Sequence, residues 1–202
     1  MRPDMKNVCC RFLRRALVAA LIVSFATGVS AAPWRHPQPP RVNSDAATIA
    51  DFMKRVDGYV ALHKKVESML QEPSGDGKPD EVVEHQRAFA KLMQRERASA
   101  KPGDIVTKQM RNVVRRLLAS VFRGPEGREI KHTILDEYTG NVPLQINSHY
   151  PENAPFSSVP PLVLQDLPKL PDVLAYRFIG PRMILLDPHG RLIVDIVDRV
   201  FP

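Results

Sequence analysis

Cysteine is nearly absent from this chain: Cys9 and Cys10 are the only two in 202 residues. From residue 11 onward there is no thiol, so a disulfide framework, a thiolate nucleophile and a zinc–thiolate knot are all excluded there. A domain without cross-links must rest on an ordinary hydrophobic core or on a partner. Familiar catalytic signatures are missing as well. The sequence contains no Gly-x-Ser-x-Gly elbow, no Walker loop, no dinucleotide fingerprint, no His-Glu-x-x-His zinc helix and no haem-attaching Cys-x-x-Cys-His.

Long apolar runs are equally scarce. The one that stands out, Ala16 to Val29, follows a basic head of Arg2, Lys6, Arg11, Arg14 and Arg15 and leads into Val29-Ser30-Ala31. A basic head, an apolar middle and a small-residue site are the three parts of a secretory signal, with cleavage expected after Ala31. The run falls short of the about 20 apolar residues a spanning helix needs, and Ser24, Thr27 and Gly28 interrupt it. No transmembrane segment is therefore expected once residues 1–31 are removed. Arg14-Arg15-Ala16-Leu17-Val18 also has the spacing of a twin-arginine signal, but Leu13 departs from the usual polar residue, which favours the general secretory route. Both cysteines precede the run, whereas a lipoprotein cysteine follows it. The expected location is the bacterial periplasm, with full secretion as the alternative.

Charge of one sign is in short supply beyond the signal. Of 29 basic and 22 acidic side chains, five and one lie in residues 1–31, which leaves a net charge of only +3 from residue 32 on. A nucleic-acid partner thus loses its compositional support.

What is present is periodicity. Residues 32–43 form a proline-rich leader, Trp34-Arg35-His36-Pro37-Gln38-Pro39-Pro40-Arg41 at its centre, suited to a flexible tether. Ile49, Phe52, Met53, Val56, Tyr59, Val60 and Val66 then fall on one helical face, with Asn43, Ser44 or Asp45 able to cap its start. The two prolines and two glycines between Pro73 and Pro79 break that helix. A second helix is expected over 80–98 with Val82, Phe89, Leu92 and Met93 inward. A third over 107–122 carries Met110, Val113, Val114, Leu117, Leu118 and Val121, and a fourth over 126–138 carries Ile130, Ile134 and Leu135. Together they predict a bundle of about four helices across residues 44–140.

Seven prolines between Pro143 and Pro171 exclude helix and central strand from that stretch, so 141–172 should run as an extended strap in which Val159, Leu162, Val163 and Leu164 can pack. Residues 173–202 read as a three-stranded antiparallel β-meander: 174–179, 183–186 and 192–197, joined by Gly180-Pro181 and by Asp187-Pro188-His189-Gly190. The middle and last strands are apolar on both faces, so both must be covered, by helices on one side and the strap on the other. The fold class is α+β, a single domain over 44–202. Tyr176-Arg177-Phe178-Ile179-Gly180, the apolar run ending in Asp187, and Leu192-Ile193-Val194-Asp195 together resemble the C-terminus of a family of small exported bacterial proteins with no assigned function. The resemblance covers Leu174 to Asp195 alone; it implies a shared fold module and carries over no catalytic residue.

Few residues stand out as chemical. At about 100° per residue His63 falls within the apolar stripe of the first helix, and Glu67 lies one turn further on the same side. Such a pair is a candidate general base or half of a metal site, with His85 of the second helix as a third group; a core histidine satisfied by Glu67 or a carbonyl is the plainer alternative. Glu81 with His85, and His132 with Asp136, have ion-pair spacing on helix surfaces. Glu129-x-x-His132 has the spacing of a di-iron motif, but Ile130 and Ile134 set the inner face and turn it outward. His189 and Asp187 are explained by the turn they occupy. Arg111, Arg115 and Arg116 lead a basic stretch to Arg128 that could contact an anion or an acidic partner, although Glu126 interrupts it and no aromatic residue interleaves. No cofactor is expected. The resulting expectation is a non-enzymatic periplasmic or envelope protein with a binding or structural role and an unidentified envelope protein as partner. A metal-assisted hydrolase centred on His63 and Glu67 is the first alternative, and a binder of anionic surfaces through Arg111–Arg128 the second.

Overall fold

Residues 43–71, 78–138, 143–151 and 159–201 are described by a computed structural model of the chain. The expected signal, the leader up to residue 42, the 72–77 break and residues 152–158 of the strap lie outside the described residues. Among the described residues no helix is long and apolar enough to cross a membrane.

Helix α1 (Ser44–Glu67) starts where Asn43 accepts the backbone N–H of Asp45, a cap worth about 1 kcal/mol. Its buried residues, Phe52, Val56, Tyr59, His63 and Val66, alternate steps of four and three and so form a single stripe. Helix α2 (Pro79–Glu96) opens on a proline, whose missing N–H costs nothing in a first turn, and buries Phe89, Ala90 and Met93. Val82, expected inward, is 41% exposed. Periodicity identifies a face but not how far the neighbouring element reaches, and burial on α2 begins only near its C-terminal half. Helix α3 (Lys108–Arg123), capped by the Thr107 hydroxyl, buries Met110, Val113, Val114, Leu118 and Phe122. Gly124-Pro125 turns the chain directly into α4 (Pro125–Asp136), where Ile134 is buried but Leu135, also expected inward, is exposed.

The sheet has the order β1 (Ala175–Ile179), β2 (Arg182–Asp187), β3 (Leu192–Val197), antiparallel throughout. Fold class is thus α+β, helices first and meander last. Tyr176, Phe178, Met183, Leu185, Leu192, Val194 and Val197 join the helical side chains in the larger core. Ile184, Leu186 and Ile193 face the other way, beneath Tyr150 and the partly buried Tyr138 and Leu144. The strap therefore contributes to the cover of the second face. It also pairs with the outer edge of β3: Asn147 N–H donates to the Ile193 carbonyl, Ile193 N–H to Ser148, and Tyr150 N–H to Arg191. Prolines at 143 and 151 leave this short interval with its donors intact. One correction concerns the strap itself, which is not wholly extended. Pro161–Leu164 forms a short helix, α5, because a proline is tolerated in a first turn. It buries Val163, while Leu164 stays exposed.

The β2–β3 register shifts between Leu185, opposite Asp195, and Leu186, opposite Ile193, leaving Val194 as the extra residue of a bulge. A bulge reverses the side to which following side chains point. Asp195 is thereby brought to the helix-facing side.

Gly180, at the β1–β2 turn, has φ +52°, and a Cβ there would lie 2.7 Å from the Tyr138 ring. Gly180→Ala should cost about 2 kcal/mol or more, from left-handed strain plus the clash. A urea midpoint equal to that of the parent protein would show that Tyr138 yields freely.

Candidate functional site

The β2–β3 turn organises the site. Asp187 Oδ1 accepts the backbone N–H groups of His189 (2.9 Å) and Gly190 (3.2 Å), the turn chemistry its residue types call for. That leaves Oδ2 pointing into the protein, where the Tyr59 hydroxyl donates to it at 2.7 Å. His63 Nε2 lies 3.5 Å from the same oxygen. Gly190 lets the turn press onto α2, since a Cβ would stand 3.0 Å from the Phe89 ring. Phe89 in turn spaces the imidazoles, its centroid 4.6 Å from His63 and 4.4 Å from His189.

His63 is 2% exposed, and neither of its ring nitrogens has a hydrogen-bond partner. Its Nδ1 is 3.8 Å from Glu67 Oε2, while Glu67 Oε1 is 3.8 Å from His189 Nδ1. The His63 and His189 rings are 5.6 Å apart, and the His85 ring is 5.5 Å from that of His189. His85 Nε2 is likewise buried without a hydrogen bond. Of the three candidates, His63 and Glu67 are therefore brought together, and His85 neighbours His189. Two further members join them, Asp187 and His189, whose sequence positions the turn alone explains. Turn chemistry uses one Asp187 oxygen and one backbone N–H of His189; it leaves the second oxygen and the ring to the site. Among the described residues, no group of three or more His, Cys, Asp or Glu side chains is placed to hold a metal ion.

Burial holds the His63 pKa below the ordinary histidine value, with His189 adding to the effect and Asp187 and Glu67 opposing it. Burial, reinforced by the Asp187 charge and hydrogen bond, raises the Tyr59 phenol well above its ordinary value. The buried Arg97 guanidinium lies 5.1 Å from the Tyr59 ring centroid and donates to the Val194 carbonyl, a cation whose charge works against that rise.

A pH dependence follows. Because the folded pKa of His63 lies below about 6.5, the unfolded chain takes the proton first as pH falls. The contribution is complete above about pH 6.5, is lost on descent toward the depressed folded value, and is not regained below it. The groups facing His63 are Tyr59 and Glu67 from α1, and Asp187 and His189 from the end of β2 and its turn. Urea unfolding of His63→Gln should show a flatter loss between pH 7 and about pH 5 than the parent protein. Parallel profiles would remove His63 as the source.

Other singled-out residues serve the fold. Arg116 pairs with Asp45 at 2.7 Å, and Arg115 donates to the Asp198 carbonyl at 2.8 and 3.2 Å. Arg111 packs its guanidinium near Gly103. His132 pairs with Asp136 on the exposed side of α4. Sequence periodicity missed Asp195, fully buried, whose carboxylate accepts the N–H groups of Gly103, Ile105, Val106 and Ile196.

A cleft of about 520 Å3 borders the turn, lined by Val83, Gln86, Arg87, His149, Gly190 and Arg191. His189, 28% exposed, connects the buried centre with the surface. Against protein-family models, curated proteins and solved structures, the chain finds no match.

Proposed function

We propose that this is an exported, non-enzymatic binding protein of the bacterial envelope that takes its ligand at the centre formed by His63, Glu67, His85, Asp187 and His189. The observation that carries this reading is His63: an imidazole in the core with both nitrogens unbonded. Leaving a buried polar group unsatisfied costs about 1–3 kcal/mol, a cost that a leucine in the same stripe would avoid. The signal-like residues 1–31 support export, and the part-exposed His189 supports access. A hydrolytic role has one observation in its favour, the placement of His63 between two carboxylates, as a general base requires. The anionic-surface reading is weakened because Arg115 and Arg116 are engaged within the fold. An envelope protein as partner remains part of the proposal.

The test is native mass spectrometry of protein purified from its own host's periplasm without a metal-affinity step. A reproducible mass increment that disappears in His63→Gln is the expected result. Protein that carries no increment, or the same increment in the variant, would displace the site from this centre.

A further inference from the structure

We infer that the cleft between α2, the strap and the β2–β3 turn is an anion site that takes a phosphate monoester, held by the Arg87 and Arg191 guanidiniums. The site goes beyond the centre proposed above and shares none of its five side chains, so either can fail without the other.

Charge comes first. Arg87 from α2, His149 from the strap and Arg191 from the β2–β3 turn are distant in sequence, yet all three line one cleft of about 520 Å3. No carboxylate lines it, and among the described residues no hydrogen bond or ion pair engages either guanidinium or the His149 ring. Other arginines are engaged within the fold: Arg55 pairs with Asp51, Arg116 with Asp45, and Arg128 donates to the Arg123 carbonyl. Like charges facing one concavity raise its potential for anions. Each guanidinium presents a planar fork that matches phosphate oxygens two at a time. Two such forks balance the charge of a phosphate monoester, about −1.5 to −2 at pH 7, whereas a carboxylate brings a single negative charge. The Gln86 amide offers a further donor on the α2 wall.

The walls are fixed before a ligand arrives. Asn147 Nδ2 donates to the Gln94 and Arg97 carbonyls at 2.9 and 3.0 Å, which ties the strap to the C-terminal end of α2. Ile193 N–H donates to Ser148 and Tyr150 N–H to Arg191, which tie the same interval of the strap to β3. The third side closes where Gly190 lets the turn meet Phe89 of α2. Walls held this way have little freedom to lose on binding, so less of the contact energy is cancelled. Val83, 41% exposed, and the Tyr150 ring give the cleft an apolar part. That part suits the carbon skeleton of an ester and has nothing to offer inorganic phosphate.

The experiment is calorimetric titration of the host-purified protein with phenyl phosphate, inorganic phosphate and benzoate, beside flotation with vesicles carrying phosphatidic acid, whose head is also a phosphate monoester. Phenyl phosphate should saturate at one equivalent, about 10-fold more tightly than inorganic phosphate and more tightly than benzoate. Its affinity should fall as salt rises. Arg87→Gln and Arg191→Asn should each weaken it by about 10-fold or more. Asparagine suits position 191 because that residue has φ +49°, a left-handed backbone that asparagine adopts readily. The urea midpoint of Arg191→Asn should therefore equal or exceed that of the parent protein while binding falls. Arg199→Asn, at φ +50° and with the same loss of charge outside the cleft, should leave binding unchanged. Binding of soluble phenyl phosphate that is lost in both cleft variants upholds the site for a free ester; flotation alone, lost in the same variants, upholds it for a lipid head. Binding to neither probe, binding unaltered in either cleft variant, an equal loss in Arg199→Asn, or a preference for benzoate would overturn the inference.

Discussion

Asp195→Ala should be the most damaging single substitution in the described part of the chain, lowering stability by about 3–5 kcal/mol. The carboxylate is fully buried and receives N–H groups from Gly103, Ile105, Val106 and its neighbour Ile196 at 2.8–3.2 Å. The first three donors belong to the turn between α2 and α3, so one side chain ties that turn to the sheet. Alanine would leave several N–H groups without an acceptor, each costing about 1–3 kcal/mol, although neighbouring losses do not simply add. Against a total stability of about 5–15 kcal/mol, the variant should lose between about a fifth and all of it. Asp195→Asn retains one acceptor but turns an NH2 group toward donors, so about half the loss is expected. Urea titration with far-UV circular dichroism decides the matter. A loss under about 1 kcal/mol for alanine would mean that the turn docks through Ile105 and Val106 packing instead.

Why Asp195 escaped sequence reading while other elements did not is a matter of range. The three strands emerge within a residue of their expected bounds because branched residues and the Gly180-Pro181 and Asp187-Pro188-His189-Gly190 breaks act locally. The α1 stripe is likewise local, and it placed His63 and Glu67 on one side before any tertiary contact was known. The bulge at Val194 leaves no comparable local mark. Simple alternation puts Asp195 with Ile193 on the strap-covered face, and only the register shift against β2 turns it to the helices. His189 shows a second kind of limit. Turn chemistry accounts for its backbone and is silent on its ring, so a sufficient local explanation concealed a long-range contact. Val82 and Leu135 show a third, since hydrophobic spacing marks a helix face without saying where the opposing surface stops. The short helix at Pro161–Leu164 shows a fourth: proline density rules out long helices, not a single turn begun by proline itself.

Substitutions at Asp187 should separate the role of the turn from that of the buried centre. Asp187→Ala removes the acceptor of the Tyr59 hydroxyl and of two turn N–H groups, and about 2–4 kcal/mol should be lost. Asp187→Asn is more informative because the amide oxygen can preserve the turn while the negative charge disappears. Asp187 opposes the burial that depresses the His63 pKa, so without it that pKa should fall further from the unfolded value. Wider separation means a larger loss of stability as pH descends from about 6.5. Asp187→Asn should therefore be more acid-labile than the parent protein, whereas His63→Gln should be less so. In the double variant the Asp187 substitution should no longer steepen the profile, because the titrating ring is gone. Tyr59→Phe supplies the control, since it removes the hydroxyl donor and keeps the charge beside His63. Urea midpoints measured from pH 7.5 to about pH 5 on all four variants test the ordering. If Asp187→Asn and His63→Gln shift the profile in the same direction, the two groups do not face each other electrostatically, and the proposed support of His63 by Asp187 fails with them.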